Sequence, residues 1–170
     1  LRALGTQKNP LLYRKSKEQL ERMQTILDAL SQETVSQTQL QMVVDTLLTG
    51  EQSRLDRNQL QVETYIATDV ALSLDAVVVT SILRELLDNA IDGSANGGTI
   101  TIRATHNKDH VLLQMQDEGG GMTPAESKRA FTSGNGLQIV KGMIDLLGGR
   151  IWLVSKKNVG TTVHVTLPLQ

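Results

Sequence analysis

The hydrophobic period of this chain changes near residue 55, and no other feature constrains its fold as tightly. Before that point apolar residues recur every three or four positions: Leu20, Met23, Ile26 or Leu27, and Leu30, with charged and Gln residues on the other faces. A second helical set, Leu40, Met42, Val43, Val44, Leu47 and Leu48, reaches Gly50, which reads as a helix stop. Beyond residue 55, "LQVETYIA" (60–67) alternates as a strand does. Asp75 is placed to cap a helix that turns Val78, Ile82, Leu83, Leu86, Leu87, Ala90 and Ile91 inward. "GGTITIRAT" leads a strand, "HNKDH" is a polar turn and "VLLQMQD" is the return, so 99–117 reads as a hairpin. A short helical stretch to Phe131 follows, then a helix from about Leu137 to Leu147 that Gly148 and Gly149 close. "RIWLVS" and "TTVHVTLPL" form a second hairpin around "KKNVG". The order strand, helix, strand, strand, helix, helix, strand, strand predicts an α+β fold. Its sheet is mixed or mostly antiparallel, with helices on one face.

Composition narrows the functions available. The net charge of −1 advertises no nucleic-acid or anionic-membrane partner. With no cysteine there is no disulfide scaffold, cysteine nucleophile or thiolate metal site, which fits a reducing compartment. One Trp, one Phe and two Tyr are too few for a base-stacking platform. Apolar runs such as Ala76 to Val79 fall far short of the ~20 residues of a membrane span. No signal peptide opens the chain, and a start at Leu1 rather than Met is expected of a piece of something longer.

Three glycine-bearing stretches follow one another: "NGG" (96–98), "DEGGGM" (117–122) and "SGNG" (133–136). Glycine admits close approach of a ligand and exposes N–H donors to anions. The third stretch lies directly before a helix, where free N–H groups and the helix dipole favour phosphate. Neither a P-loop nor a dinucleotide fingerprint is present, and an ordinary tight turn explains each stretch taken alone. Asp117, at a strand end, is able to accept a hydrogen bond from an exocyclic amine or from local backbone N–H groups. "ELLDNAID" (85–92) puts Glu85 and Asn89 four apart on a helix, beside Asp88 and Asp92. Asn89 offers a neutral amide oxygen of the kind Mg²⁺ takes, and Glu85 is placed to orient or deprotonate a nucleophile. A solvated acidic stripe on an amphipathic helix is the alternative.

In this order and spacing the three stretches resemble the GHKL superfamily of ATP-binding domains, named for gyrase, Hsp90, histidine kinases and MutL. "ELLDNAID" looks like its N box and "DEGGGM" like the D-x-G-x-G of its G1 box. "SGNGLQIVKGMIDLLGGRIWLVSKKNVGTTVHVTLP" resembles the G2 box and C-terminal half of a sensor histidine kinase. The resemblance covers about 75–170 closely and 35–74 loosely. It implies the two-layer Bergerat sandwich and a set of roles. Asn89 would hold Mg²⁺ on the phosphates, and Glu85 stands where the gyrase and MutL branches carry their general base. Asp117 would recognise the adenine amine, with Thr161 near it. Gly119 and Gly121 would let the chain pass close to the nucleotide, and Gly134 and Gly136 would present N–H groups to phosphates. The Asn89 amide and the Asp117 carboxylate should therefore face one hollow.

Departures from the pattern matter. Histidine kinases usually carry Asn at the position of Glu85 and a Lys or His near Asp92, so this N box looks like the gyrase version. Asn135 replaces a Leu of the G2 box and Thr132 its first Gly. The lid is short, from Thr123 to Thr132, and no second phenylalanine follows Phe131. Lys128 and Arg129 are either phosphate ligands from the lid or solvated helix charges. No histidine lies in the H-E-x-R-x-P context of a phosphoacceptor; His106, His110 and His164 read as structural or surface residues. Residues 1–34 resemble a remnant of a helical dimerisation and phosphotransfer hairpin, and 35–170 the catalytic and ATP-binding domain. The resemblance implies transfer of the ATP γ-phosphoryl to a histidine outside this chain and onward to a response-regulator aspartate. It also implies a homodimer in the full-length protein and a cytoplasmic setting, with a membrane anchor upstream in some arrangements. A hydrolytic ATPase of the gyrase or MutL kind and a nucleotide-free scaffold are the alternatives.

Overall fold

The computed structural model describes residues 37–94, 97–132 and 136–169, with residues 17, 20, 21, 24, 25 and 28 of the N-terminal stretch. Most of the expected hairpin remnant (1–34) lies outside these; its six described residues are helical and exposed. From residue 38 the chain runs β1 (Thr38–Gln39), α1 (Leu40–Arg57), β2 (Gln61–Ile66), β3 (Ala71–Leu72) and α2 (Ala76–Gly93). It continues through β4 (Thr99–His106), β5 (His110–Asp117), α3 (Pro124–Arg129), α4 (Gly136–Leu146), β6 (Arg150–Lys156) and β7 (Gly160–Pro168).

Five strands form one sheet in the order β2-β4-β5-β7-β6. β2 runs parallel to β4 and every other pair is antiparallel. Alternation decides which residues face the helices. Ile100, Ile102 and Ala104 on β4, Val111, Leu113 and Met115 on β5, and Val163, Val165 and Leu167 on β7 are all buried. Against them α2 buries Val78, Ile82, Leu83, Leu86 and Leu87, and α4 buries Leu137, Val140 and Ile144. Each fully buried Leu or Ile contributes about 1.5–3 kcal/mol of hydrophobic stabilisation, so this layer dominates the fold. Asp75 caps α2 as its position suggests, accepting from the Val77 backbone N–H at 2.7 Å.

The sequence misplaces one helix end. α1 does not stop at Gly50 but continues to Arg57. Leu55 is buried one and a half turns past that glycine, so the apolar stripe resumes beyond it. Ion pairs hold the extension to α2: Arg84 to Glu51 at 2.9 Å, and Arg54 to Asp88 and Asp92. Gly50 faces open space, where its weak helix propensity costs only about 1 kcal/mol. The two-residue ladder of β1 with β3 is also new, and Thr38 secures it by donating to the Leu74 carbonyl at 2.6 Å.

Among the described residues no helix covers the other face of the sheet. One cross-strand row of side chains crosses it, from Tyr65 under the Arg103 guanidinium through Gln114 to His164. His164 stacks on Trp152 with ring centroids 4.9 Å apart, and burial lowers its pKa. His106 ends β4 and pairs with Asp69 at 2.9 Å. A groove of about 890 Å³ on this face is lined by His106, His110, Leu112, Arg150 and Trp152 among others. None of the residues singled out for nucleotide chemistry borders it.

Candidate functional site

The chemistry-bearing residues gather on the covered face, where α2 meets the end of β5, the start of β7 and the start of α4. Asp117 ends β5 at an inward position and is 7% exposed. Its Oδ1 accepts two backbone N–H groups, from Gly119 at 2.9 Å and from Thr161 at 3.2 Å. Among the described residues Oδ2 has no hydrogen-bond partner and is free to accept one. Burial raises the Asp117 carboxyl above its ordinary pKa, against the opposing pull of the two N–H donors. The carboxylate lies 3.8 Å from where a Cβ on Gly93 would stand.

Gly93 links this carboxylate to the helix. Residues 85, 89 and 93 are spaced by four and form one stripe of α2, about 12 Å long at 1.5 Å per residue. At its other end lies Gly136, the first residue of α4. A Cβ on Gly136 would stand 2.4 Å from Glu85 Oε2 and 3.2 Å from Asn89 Nδ2. The stripe therefore runs from the α4 N-terminus to Asp117, with Asn89 between. Asn89 Nδ2 donates to the Glu85 carbonyl at 2.6 Å, and among the described residues Oδ1 has no hydrogen-bond partner. Glu85 is a buried carboxylate, 8% exposed, against the end of α4 where the helix dipole favours negative charge.

The four polar residues of the "ELLDNAID" helix divide into two jobs. Asp88 and Asp92 face α1 and hold Arg54, so that half of the acidic stripe is structural. Glu85 and Asn89 face α4. No cluster of three His, Cys, Asp or Glu side chains capable of a protein-only metal cage exists among the described residues. One neutral amide oxygen is nonetheless what Mg²⁺ needs from a protein when phosphates and water supply the other ligands, so Asn89 Oδ1 fits that ion.

Two glycines of "DEGGGM", Gly119 and Gly121, stand close against protein backbone. A Cβ on Gly119 would sit 1.7 Å from the Gly93 carbonyl oxygen. Gly121, at φ +57°, would meet the Lys156 carbonyl at 2.0 Å. The loop is thereby pressed between the end of α2 and the β6–β7 hairpin, with Asn158 N–H donating to the Gly120 carbonyl at 2.7 Å. Thr161 is buried and pairs in register with Asp117. Gly134 lies outside the described residues. In the lid, Thr123 and Glu126 form a capping box for α3. Lys128 and Arg129 are exposed there.

Sequence reading missed Gly93, Gly160 and Ser155. A Cβ on Gly160 would collide with the Asp117 carbonyl at 2.0 Å. Ser155 bonds to Met122, Gly160 and Thr161 together. Its one sequence signal is a hydroxyl at an inward position of the Ile151, Leu153, Ser155 alternation.

Comparisons with known proteins identify the family. The family model for histidine kinase-, DNA gyrase B-, and HSP90-like ATPases matches residues 74–170, more than half of the chain. The adaptive-response sensory kinase SasA of Prochlorococcus marinus (strain MIT 9313) is 26% identical over 144 residues, covering 75% of this chain and 39% of SasA. The chain thus spans well under half the length of that relative. The mycobacterial sensor histidine kinase MprB superposes with a TM-score of 0.68 at 25% identity, covering 78% of this chain and 97% of that one. The Acinetobacter baumannii histidine kinase AdeS gives a TM-score of 0.76 at 21% identity over 100% of this chain and 87% of its own, a likeness of fold.

Proposed function

Because the chain belongs to the family of histidine kinase-, DNA gyrase B-, and HSP90-like ATPases, we propose that it is the ATP-binding catalytic domain of a two-component sensor histidine kinase. The α2 stripe carries this reading: it joins Glu85, Asn89 and Gly93 and borders Gly136 at one end and Asp117 at the other. Asp117 Oδ2 takes the exocyclic amine of adenine, and its burial strengthens that charge-assisted hydrogen bond. The N–H groups at the start of α4, from Gly136 on, face the phosphates, and Gly134 would add its own. Asn89 Oδ1 holds Mg²⁺, which when bound neutralises phosphate charge.

In the reaction an imidazole nitrogen of the acceptor histidine attacks the γ phosphorus. The bond from that phosphorus to the β–γ bridging oxygen breaks, and ADP leaves with the electron pair. Glu85 orients the imidazole and takes the proton that its other nitrogen sheds. The phosphoryl group then passes to an aspartate of a response regulator. The acceptor histidine belongs to a dimerisation hairpin of which residues 1–34 are the tail, and residues 35–170 form the catalytic domain. Similarity to sensor kinases weighs against the hydrolytic role that Glu85 suggests by itself. No helix among the described residues is long and apolar enough to cross a membrane. By analogy with sensor kinases, the domain would work in the cytoplasm, alone or as the cytoplasmic part of a membrane-bound sensor.

Titration calorimetry with ADP and Mg²⁺ tests the nucleotide step. Binding that Asp117→Asn weakens is expected; no heat from the wild-type chain would overturn the proposal. Radiolabelled ATP with the full-length protein tests the transfer. An alkali-stable, acid-labile phosphoprotein is expected, whereas rapid free phosphate without it supports hydrolysis.

A further inference from the structure

The Ser155 side chain touches both the glycine loop and the strand beside Asp117. Its Oγ accepts the Met122 backbone N–H at 2.8 Å, directly after the three glycines. It lies 3.1 Å from the Gly160 carbonyl and 2.8 Å from Thr161 Oγ1. A serine hydroxyl has one proton and two acceptor sites. The Gly160 carbonyl has no proton to give, so the Ser155 proton goes there. The Thr161 hydroxyl must then donate to Ser155, which fills both acceptor sites of Ser155, one from Met122 and one from Thr161. These proton positions are assigned from the network.

The assignment has a consequence at the candidate site. With its only proton committed to Ser155, the Thr161 hydroxyl offers lone pairs alone. It stands in register with Asp117, on the same face of the sheet, and Asp117 Oδ2 is also an acceptor. We propose that Ser155 is a specificity-setting positioning residue: it holds the Thr161 hydroxyl as an acceptor, so the pocket presents acceptors only and selects a base bearing an amine over one bearing a carbonyl. This rests on the nucleotide-binding reading above and goes beyond it. Asp117 supplies the charge, whereas Ser155 removes a nearby donor that would welcome a carbonyl. Without Ser155 the Thr161 hydroxyl is free to rotate and donate.

Adenine and hypoxanthine differ at this atom, amine against carbonyl, so ADP and IDP are the probes. Their dissociation constants are measured by calorimetry with the 170-residue chain and Mg²⁺. Ser155→Ala is expected to lower the preference for ADP over IDP by about three- to tenfold, the worth of one neutral hydrogen bond, chiefly through tighter IDP binding. Ser155→Thr, which keeps the hydroxyl, is expected to retain the wild-type ratio. Thr161→Val reaches the same pocket without touching Ser155. It is expected to lower the ratio, and adding Ser155→Ala to it should change the ratio no further. A purely structural role for Ser155 would weaken both nucleotides together; an unchanged ratio in Ser155→Ala overturns the inference. If that variant does not fold, an unchanged ratio in Thr161→Val overturns it instead. A wild-type chain that binds neither nucleotide overturns the nucleotide reading itself, whereas one that binds both with a ratio indifferent to residues 155 and 161 overturns only the role of Ser155.

Discussion

The two ends of the α2 stripe are built by different means. At the Asp117 end main chain packs on main chain: Gly119 abuts the Gly93 carbonyl, Gly160 abuts the Asp117 carbonyl, and the carboxylate is aimed by two backbone N–H groups. At the Gly136 end side chains make the contact: the Glu85 carboxylate and the Asn89 amide lie against a bare α-carbon. A main-chain contact cannot relax without moving a strand or a helix, and a carboxylate relaxes by rotating. The first end is suited to holding a rigid ring in one pose. The second is suited to phosphates and to a nucleophile that arrives from another domain.

Gly119→Ala should give the largest effect and tests this contrast most directly. Its Cβ would lie 1.7 Å from a carbonyl oxygen that also accepts the Gly120 N–H. Either α2 or the loop must shift, at a cost of about 3 kcal/mol or more, read by denaturant unfolding. A near-neutral variant would show that this end is as yielding as the other.

Asp117→Asn comes next, with effects of opposite sign on binding and stability. Losing a charge-assisted bond to the base should weaken ADP by about 10- to 100-fold. Stability moves the other way. The folded carboxyl titrates above its ordinary value of 3.8 because burial penalises the charge. Folding therefore favours its protonated form, and stability is lost as pH rises from the ordinary value through the raised one. The variant should melt higher than wild type at neutral pH and lose that advantage at acid pH. ADP affinity of the wild type should fall as pH drops through the raised pKa, since a protonated Oδ2 no longer accepts without competing as a donor.

How much of this was readable in the sequence follows the same division. Asn89, Glu85 and Asp117 announce themselves by residue type and spacing, and strand alternation assigns Asp117 and Thr161 to the covered face. Gly160 does not, because what requires it is the Asp117 carbonyl, brought close by tertiary packing from 43 positions away in the chain; nor does Gly93, whose neighbour, the Asp117 carboxylate, comes from 24 positions away. Ser155 was hidden for the reason that its three partners belong to a loop and a neighbouring strand. The helix end at Gly50 was misread because a glycine signal is local. It is overridden by the burial of Leu55 and by the Arg54 ion pairs, whose partners lie on α2.

Gly136→Ala probes the yielding end. The new methyl meets the tip of Glu85, 2.4 Å from Oε2, so the side chain gives way and stability changes by about 1 kcal/mol. ADP affinity should fall less than in Asp117→Asn. If Glu85 serves the nucleophile as proposed, phosphoryl transfer in the full-length protein should fall further than affinity. Equal losses in both would mean that Glu85 has no part in the transfer.

Gly120→Ala should do least, though it lies between two glycines of the same loop. Nothing stands within 4 Å of its would-be Cβ, and both its hydrogen bonds, from N–H to the Gly93 carbonyl and from Asn158 N–H to its own carbonyl, use backbone that alanine retains. Alanine also restricts the unfolded chain, which favours folding by about 0.4–1 kcal/mol where the native backbone suits it. Unfolding free energy and ADP affinity should both stay within about 1 kcal/mol of wild type. A loss as large as that of Gly119→Ala would mean that the loop needs glycine throughout for its backbone freedom. The contrast between the two ends would then rest on loop conformation, with the collision at the end of α2 incidental.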